Sequence, residues 1–122
     1  MADTPTIEAL LAKWVTAFNA HDLDAHMALY EEDATLFGSV DELKVGRAAI
    51  CSYFHGRGPR VRVKTYPMPR IAMLSPDVAV TSGHVDFADG DTPMPYRITW
   101  VLVQKAGNWS IAQHHGSPRV GH

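Results

Sequence analysis

Two side chains that commonly move protons stand two residues apart in the middle of the chain, His84 and Asp86. Alternate residues of a β-strand share one face, so a strand here would bring the imidazole and the carboxylate together. The carboxylate would orient the imidazole and raise its pKa, which predicts a general base for chemistry near neutral pH. In the alternative orientation of the strand, Val85 and Phe87 face inward, and His84 and Asp86 form an exposed or interface pair. The residues alone leave both phases open.

A second pair of imidazoles lies near the end of the chain, at His114 and His115. Neighbouring residues of a strand point to opposite faces, so these two cannot bind one metal ion together. No metal-binding motif is present elsewhere, and we predict neither a metal site nor a cofactor. His114 is a candidate acid or base, with a satisfied core histidine as the alternative. With His84 also inward, the two imidazoles would divide the acid and base roles.

Arg97 is the third candidate, because it stands in a strand-like run of mostly apolar residues from Tyr96 to Gln104. A buried guanidinium without a partner is costly. Arg97 is therefore expected either to bind a carboxylate or oxyanion of a ligand, or to form an ion pair with an acid of the sheet such as Asp86. By strand alternation Arg97 shares its face with Thr99.

The other face of the same strand carries Ile98, Trp100 and Leu102. A strand that is apolar on both sides needs a cover on both sides. The helices of the chain can cover one face, and a second copy of the chain can cover the other. The pattern therefore predicts a homodimer.

The rest of the chain supplies the elements that position these residues. Apolar residues at helical spacing predict a first helix. Asp22 caps a short second helix with Tyr30 on its apolar side, and a third helix covers Arg47 to His55. From Val61 onward the pattern is that of β-strands. Helices followed by antiparallel strands predict an α+β fold, with a cavity at the open end of a curved sheet.

Aromatic side chains would line the remainder of this cavity, although residues at such spacing form the core by default. Two tyrosines among them could offer a hydroxyl group to a ligand. The set comprises Trp14, Phe18, Tyr30, Phe37 and Tyr53. A local basic cluster that includes Arg57 is instead expected on a solvated strand edge.

Composition limits the classes of function. The 122 residues, 46% of them hydrophobic and 20% charged, fit one domain over residues 1–122. The formal net charge of −2 does not indicate nucleic-acid binding. No apolar run approaches the ~20 residues that a membrane span needs. The first residues lack the pattern of a signal peptide, so a cytoplasmic location is expected.

Several short motifs, in one order along nearly the whole chain, resemble a known superfamily. They are residues 20–24 (Ala-His-Asp-Leu-Asp), 29–35, 46–50, 97–99, 107–111 and 114–118. Their order resembles that of the nuclear transport factor two-like superfamily, in particular SnoaL-like proteins and the association domain of calcium/calmodulin-dependent protein kinase II. The resemblance implies a cone-shaped α+β barrel in which three N-terminal helices pack in a curved antiparallel sheet.

The resemblance also implies directions for the candidate side chains. Motif alignment places Thr99 inside the cone, and therefore Arg97 with it, and turns His114 toward the cavity. Trp100 and its neighbours on the same face, Ile98 and Leu102, would then form the dimer interface. The alignment with epoxide hydrolase-like members favours His84 and Asp86 inward, whereas the alignment with ketosteroid isomerase-like members favours them outward.

The known enzyme sites of the superfamily match this chain poorly. The three ketosteroid isomerase-like positions hold Trp14, Gly38 and Thr99, which cannot play the corresponding roles. The epoxide hydrolase-like positions hold His84, Asp86 and His114, of which Asp86 alone matches in type. Arg97 is the candidate for the arginines with which the kinase hub binds small carboxylates.

Two functions follow as hypotheses. The first is a cofactor-independent acid–base enzyme, an isomerase, lyase, cyclase or hydrolase, that acts on a small apolar organic substrate. Arg97 would bind an oxyanion, and His84 with Asp86, or His114, would move protons. The second is a non-catalytic oligomerisation module that binds a small carboxylate at Arg97.

Overall fold

The computed structural model describes residues 3–119 and has an α+β fold, as the sequence predicts. Three helices precede most of a seven-stranded sheet. The helices are α1 (Asp3–Ala20), α2 (Leu23–Met27) and α3 (Arg47–His55), and the strands are β1 (Tyr30–Phe37), β2 (Lys44–Val45), β3 (Val61–Thr65), β4 (Arg70–Ser75), β5 (Val78–Asp89), β6 (Thr92–Lys105) and β7 (Asn108–Pro118).

The sheet has the order β2-β1-β7-β6-β5-β3, and β4 pairs with the first half of β5. It is curved and does not close into a barrel. Every pairing is antiparallel except that of β1 with β7, which is parallel. The sheet is therefore antiparallel, as expected, at every pairing except this one.

The helices form where the sequence predicts them, with one change at α2. Its N-cap is Asp22, whose Oδ1 accepts a hydrogen bond from the Ala25 amide at 3.1 Å. The helix ends at Met27, and Tyr30 begins β1 instead of lying on the helix. The reason is the pairing with β7, since the Ile111 amide donates to the Leu29 carbonyl at 2.8 Å and draws the chain into the sheet.

The phase of β6 is opposite to the expected one. Trp100 is fully buried against α1, where its ring centroid lies 5.4 Å from that of Trp14, and Ile98 and Leu102 are buried with it. Arg97 and Thr99 lie on the outer face. Burying the large apolar side chains and leaving the guanidinium in solvent is the cheaper arrangement. The predicted dimer contacts through Ile98, Trp100 and Leu102 are therefore wrong.

No helix among residues 3–119 has the length and hydropathy that a membrane crossing requires. The cytoplasmic location stays a prediction, as does the single domain. Its proposed bounds, 1–122, include residues 1–2 and 120–122, which lie outside the described part of the chain.

The turn between β6 and β7 offers a test of how firmly the hairpin is defined. Its two central residues, Ala106 and Gly107, both have positive φ, at 52° and 81°. Alanine in this conformation costs roughly 1 kcal/mol, whereas Asn-Gly is the preferred pair for such turns. Ala106→Asn should therefore raise the free energy of unfolding by up to ~1 kcal/mol in urea denaturation. Ala106→Val should lower it, and equal stabilities of the two variants would contradict this account of the turn.

Candidate functional site

The proposed base on β5 lies outside the cone. His84 is exposed, and Val85 and Phe87 fill the interior instead. The carboxylate of Asp86 binds Arg119, whose Nη2 lies 2.5 Å from Oδ1, and it accepts a hydrogen bond from Thr65 Oγ1 at 3.2 Å. The inward phase of His84 and Asp86 is therefore wrong, because the apolar neighbours of these residues occupy the inner face.

Arg97 is also outside the cavity. Its side chain is exposed, and Nη2 donates to the Pro118 carbonyl at 3.1 Å. Neither expectation for its partner holds, since it faces no cavity and Asp86 is paired with Arg119. Thr99 shares the outer face with it. Phe37 likewise does not line the cavity, because it is 38% exposed and packs beside His115 at 5.6 Å between ring centroids.

His114 is the predicted site residue that faces inward. It is buried and belongs to a chain of hydrogen bonds that links α1, β1, β7 and β6. Trp14 Nε1 donates to the Tyr30 hydroxyl at 3.0 Å, and that hydroxyl lies 2.9 Å from His114 Nδ1. Trp100 Nε1 donates to the same Nδ1 at 3.2 Å. These contacts define which ring nitrogen of His114 carries the proton.

An indole N–H is a donor only, so Nδ1 of His114 acts as an acceptor and bears no hydrogen. Burial, and after it the charges of the nearby His26, Arg57 and His115, lower the pKa of His114 to about 3. Burial likewise raises the pKa of the Tyr30 hydroxyl, which therefore stays protonated and donates to Nδ1. His114 is thus neutral near pH 7, with its hydrogen on Nε2. It can donate a hydrogen bond but is a poor base.

Nε2 of His114 borders a small cavity at the open end of the cone. A Cβ added at Gly116 would lie 3.4 Å from this nitrogen, so the glycine leaves room in front of it. Tyr53 and Arg57 line the same cavity together with apolar residues of β5 and β6. Its volume is about 10 Å³, which is room for a single water molecule.

Tyr53 closes this cavity in a fixed position. Its hydroxyl accepts a hydrogen bond from the Ser39 amide at 2.8 Å and lies 3.0 Å from Ser39 Oγ. Gly38 makes the approach possible, because a Cβ there would be 2.2 Å from the hydroxyl oxygen. Tyr53 therefore lines this cavity, while its hydroxyl is engaged by the protein itself. Trp14, Phe18 and Tyr30 pack behind it as core.

Arg57 is the site residue that the sequence analysis missed. Its guanidinium carbon lies 5.8, 5.7 and 5.1 Å from the ring centroids of Phe18, Tyr53 and Phe87, and Nη1 donates to the Tyr53 hydroxyl at 3.1 Å. No salt bridge among the described residues involves it. Arg57 follows Tyr53 by four residues, about one helical turn, and this spacing was the feature of the sequence that could have indicated their contact.

The resulting site is an enclosed group of donors. Arg57 supplies a cation and His114 a neutral N–H group, and within residues 6–119 no carboxylate is buried. Nor do any three His, Cys, Asp or Glu side chains of the described chain converge as a metal site would require. Such a lining suits an oxygen-rich anionic group better than a cation.

A curved sheet around N-terminal helices, with a small and mostly apolar cavity that Tyr53, Arg57 and His114 also line, defines a cone-fold protein. The sequence profile of the SnoaL-like domain matches residues 7–121, and the chain therefore belongs to the SnoaL-like family. No curated protein shows significant sequence similarity to the chain.

Solved structures confirm the nuclear transport factor two-like cone. A ketosteroid isomerase-like protein from Erwinia carotovora atroseptica has a TM-score of 0.84 at 24% identity over 98% of both chains. A Xanthomonas campestris protein assigned to the calcium/calmodulin dependent protein kinase II association domains has a TM-score of 0.84 at 25% identity, over 93% of this chain and 86% of that one. A nuclear transport factor two-like protein of unknown function from Shewanella oneidensis reaches 0.78 at 22%, over 93% and 98%.

The neutral state of His114 predicts a pH-dependent stability. In the unfolded chain its pKa is near 6.5, whereas in the folded protein it is about 3. The unfolded state therefore binds the proton first, and stability is lost as pH falls from ~6.5 toward ~3, at roughly 1 kcal/mol per pH unit near pH 5. Urea denaturation should give a shallower pH dependence for His114→Asn than for the parent protein. The matched variant at an exposed histidine in the last turn of α3, His55→Asn, should keep the parent slope, and equal slopes for all three proteins would exclude a buried neutral His114.

Proposed function

We propose that the protein binds a small organic carboxylate in the cavity beneath Tyr53, with Arg57 as the cationic partner and His114 Nε2–H as a second donor. The observation that carries this proposal is the half-buried guanidinium of Arg57, which lies among three aromatic rings and forms no salt bridge with a described residue. Taking a cation out of water without an anion is costly, so an anionic ligand would gain the interaction that the protein leaves unmade.

Access to the cavity requires a movement, because about 10 Å³ does not hold an organic acid. Arg57 is the side chain best suited to move. It is held by cation–π contacts and one hydrogen bond to Tyr53, interactions worth roughly 0.5–2 kcal/mol each. A carboxylate that takes two N–H groups of the guanidinium could replace them. The proposal therefore has Arg57 turning toward the ligand while His114 stays fixed by Tyr30 and Trp100.

The second candidate function is cofactor-independent acid–base catalysis on a small apolar substrate, as an isomerase, lyase, cyclase or hydrolase. It is favoured by the fixed tautomer of His114, because a neutral imidazole N–H can stabilise a developing oxyanion. It lacks a base, since His84 and Asp86 lie on the outer face. The ketosteroid isomerase-like relative, at 24% identity, supports the fold alone. Catalysis would need a base in addition to the side chains of the cavity, whereas carboxylate binding needs only Arg57 and His114.

Substitution of Arg57 tests the carboxylate proposal. The parent protein should bind formate, acetate or malonate in isothermal titration calorimetry and gain thermal stability from it. Arg57→Met should weaken binding at least tenfold by removing the charge, while Arg57→Lys should weaken it less. The control is Arg62→Met, an exposed cation on β3. Equal affinities of the Arg57→Met and Arg62→Met proteins would show that the anion binds elsewhere, and no binding to the parent protein would refute the proposal.

We also propose that the protein forms a homodimer through the outer face of the sheet. Half-buried apolar side chains are register partners there, with Val80 opposite Val101 and Val78 opposite Val103. These valines form an apolar patch at one end of the outer face, and such a patch favours a second cover. The Xanthomonas relative is assigned to a class of association domains, which agrees with assembly.

Val101→Asp tests the dimer. A carboxylate in the centre of that face would be desolvated on association, so the variant should be monomeric by light scattering under conditions in which the parent protein has twice the chain mass. The same residue change on an exposed position of α1, Ala12→Asp, should leave the mass unchanged. A monomeric parent protein, or a dimeric Val101→Asp protein, would count against this interface.

A further inference from the structure

A second compartment lies beside the cavity at His114, on the other side of Arg57. Its volume is about 20 Å³, and its walls include Phe18, His26, Phe54 and Arg57. Phe54 and Arg57 also border the first cavity, so these two side chains are the partition between the compartments. The compartment has room for one oxygen-sized group.

The imidazole of His26, in α2, is a buried polar group of this compartment, whose walls also include His21 and Arg57. His26 is 2% exposed, and its ring centroid lies 5.2, 5.8 and 4.5 Å from those of Trp14, Phe18 and Phe54. Its Nε2 is fully buried and forms no hydrogen bond with any described residue. An unmade hydrogen bond of this kind costs roughly 1–3 kcal/mol, so the position is unusual for a core residue.

The Nε atom of Arg57 is buried and unpaired in the same way among the described residues. Both orphaned nitrogens belong to residues that line one compartment. Guanidinium N–H groups only donate, so a single oxygen atom between Arg57 and a protonated His26 would satisfy both residues. The small volume of the compartment and its two unpaired nitrogens therefore suit one oxygen atom of an anionic group.

A carboxylate oxygen at this point changes the acid–base state of His26. Burial lowers the pKa of His26 to about 4 in the free protein, so the imidazole is neutral near pH 7. The groups around it are the aromatic rings of α1 and α3, Tyr30 of β1, the guanidinium of Arg57, and His21, which lines the same compartment. His114 is a further charged neighbour when it is protonated. An adjacent anion favours the imidazolium. Binding would therefore raise the pKa of His26.

We propose that His26 is a ligand-contacting residue of the cavity, that its Nε2 and the Nε of Arg57 hold one carboxylate oxygen together, and that the imidazole takes up a proton when the carboxylate binds. This inference rests on the proposed carboxylate binding and adds to Arg57 and His114 a third contact residue, His26, and a dependence on pH. The ligand class is a monocarboxylate or dicarboxylate whose acid group enters first and lies deepest.

The direction of the pH effect follows from linkage. Between about pH 7 and pH 5 the free protein has a neutral His26, whereas the complex has a protonated one. Each complex then takes up one proton, and the affinity for an ionised carboxylate rises as pH falls, by up to ~10-fold per pH unit. A carboxylate held by Arg57 alone would show no such gain, because guanidinium does not titrate in this range.

Isothermal titration calorimetry tests the inference on the intact chain. Formate and chloroacetate are the probes, because their carboxyl groups stay ionised over the pH range used. Titrations in MES and in bis-Tris, which both buffer in this pH range, give the number of protons taken up, since these buffers differ in ionisation enthalpy. We expect about one proton per ligand at the pH where affinity is rising. We expect a proton uptake near zero for two variants. His26→Phe keeps an aromatic ring beside Trp14 and Phe54, and His26→Gln keeps a hydrogen-bond donor that does not titrate.

The matched control is His55→Phe, at an exposed position in the last turn of α3, which should keep the parent proton uptake. Nitrogen-15 NMR of the parent protein supplies a measurement that needs no variant, because the His26 signals should move to imidazolium values when formate is added. Arg57-dependent binding without proton uptake would overturn the role of His26 and leave the proposed function standing. Proton uptake that persists in His26→Phe would assign the proton to another group and also overturn the inference, whereas absence of any carboxylate binding would overturn both proposals.

Discussion

The interior of the cone depends on one buried hydrogen-bond chain, from Trp14 through Tyr30 and His114 to Trp100. Its four side chains come from α1, β1, β7 and β6, so it joins the first helix to the three strands at the middle of the sheet. Each donor points at an acceptor, and Nδ1 of His114 receives two of the bonds. A buried polar network of this kind is stabilising only when every member is satisfied. A substitution of His114 would therefore leave buried donors of this chain, such as Trp100 Nε1, without an acceptor.

The two faces of the sheet differ in the polar groups that they carry. The inner side carries neutral imidazoles and the guanidinium of Arg57, while the ion pair of Asp86 with Arg119 and the exposed Arg97 lie on the outer side. Because charges are expensive to desolvate, most of them stay at the surface. Arg57 is the exception among the charged side chains near the cavity, and its exposure to aromatic π-faces partly replaces water. This contrast makes the cavity electropositive without making the protein basic.

The sequence predicted the element order, the cap at Asp22 and the bounds of α3, because those features depend on local patterns. It did not predict the phase of β6, since Arg97 and Trp100 stand in a run whose two faces are both largely apolar. A shift of one residue exchanges the whole inner and outer sets, and alternation alone cannot choose between them. Tertiary contacts decide which face of β6 is buried: its large apolar side chains pack inside, and Trp100 donates a hydrogen bond to His114, 14 residues further along the chain. Arg57 was missed for a related reason, as its contacts with Phe18 and Phe87 exist only after α1, the loop after α3 and β5 have packed.

The parallel pairing of β1 with β7 has a consequence for how the chain folds. The partner of the first strand is the last one, and Leu36 of β1 is in register with His114. Contacts between such distant segments are slow to form, because a long loop must close before they give any return in stability. On a ribosome, α1 and β1 are synthesised early, and their apolar surfaces stay exposed until β7 has been made. The nascent protein is therefore most open to aggregation or chaperone binding until β7 has been synthesised, and a change that weakens β7 would prolong that interval for the whole fold.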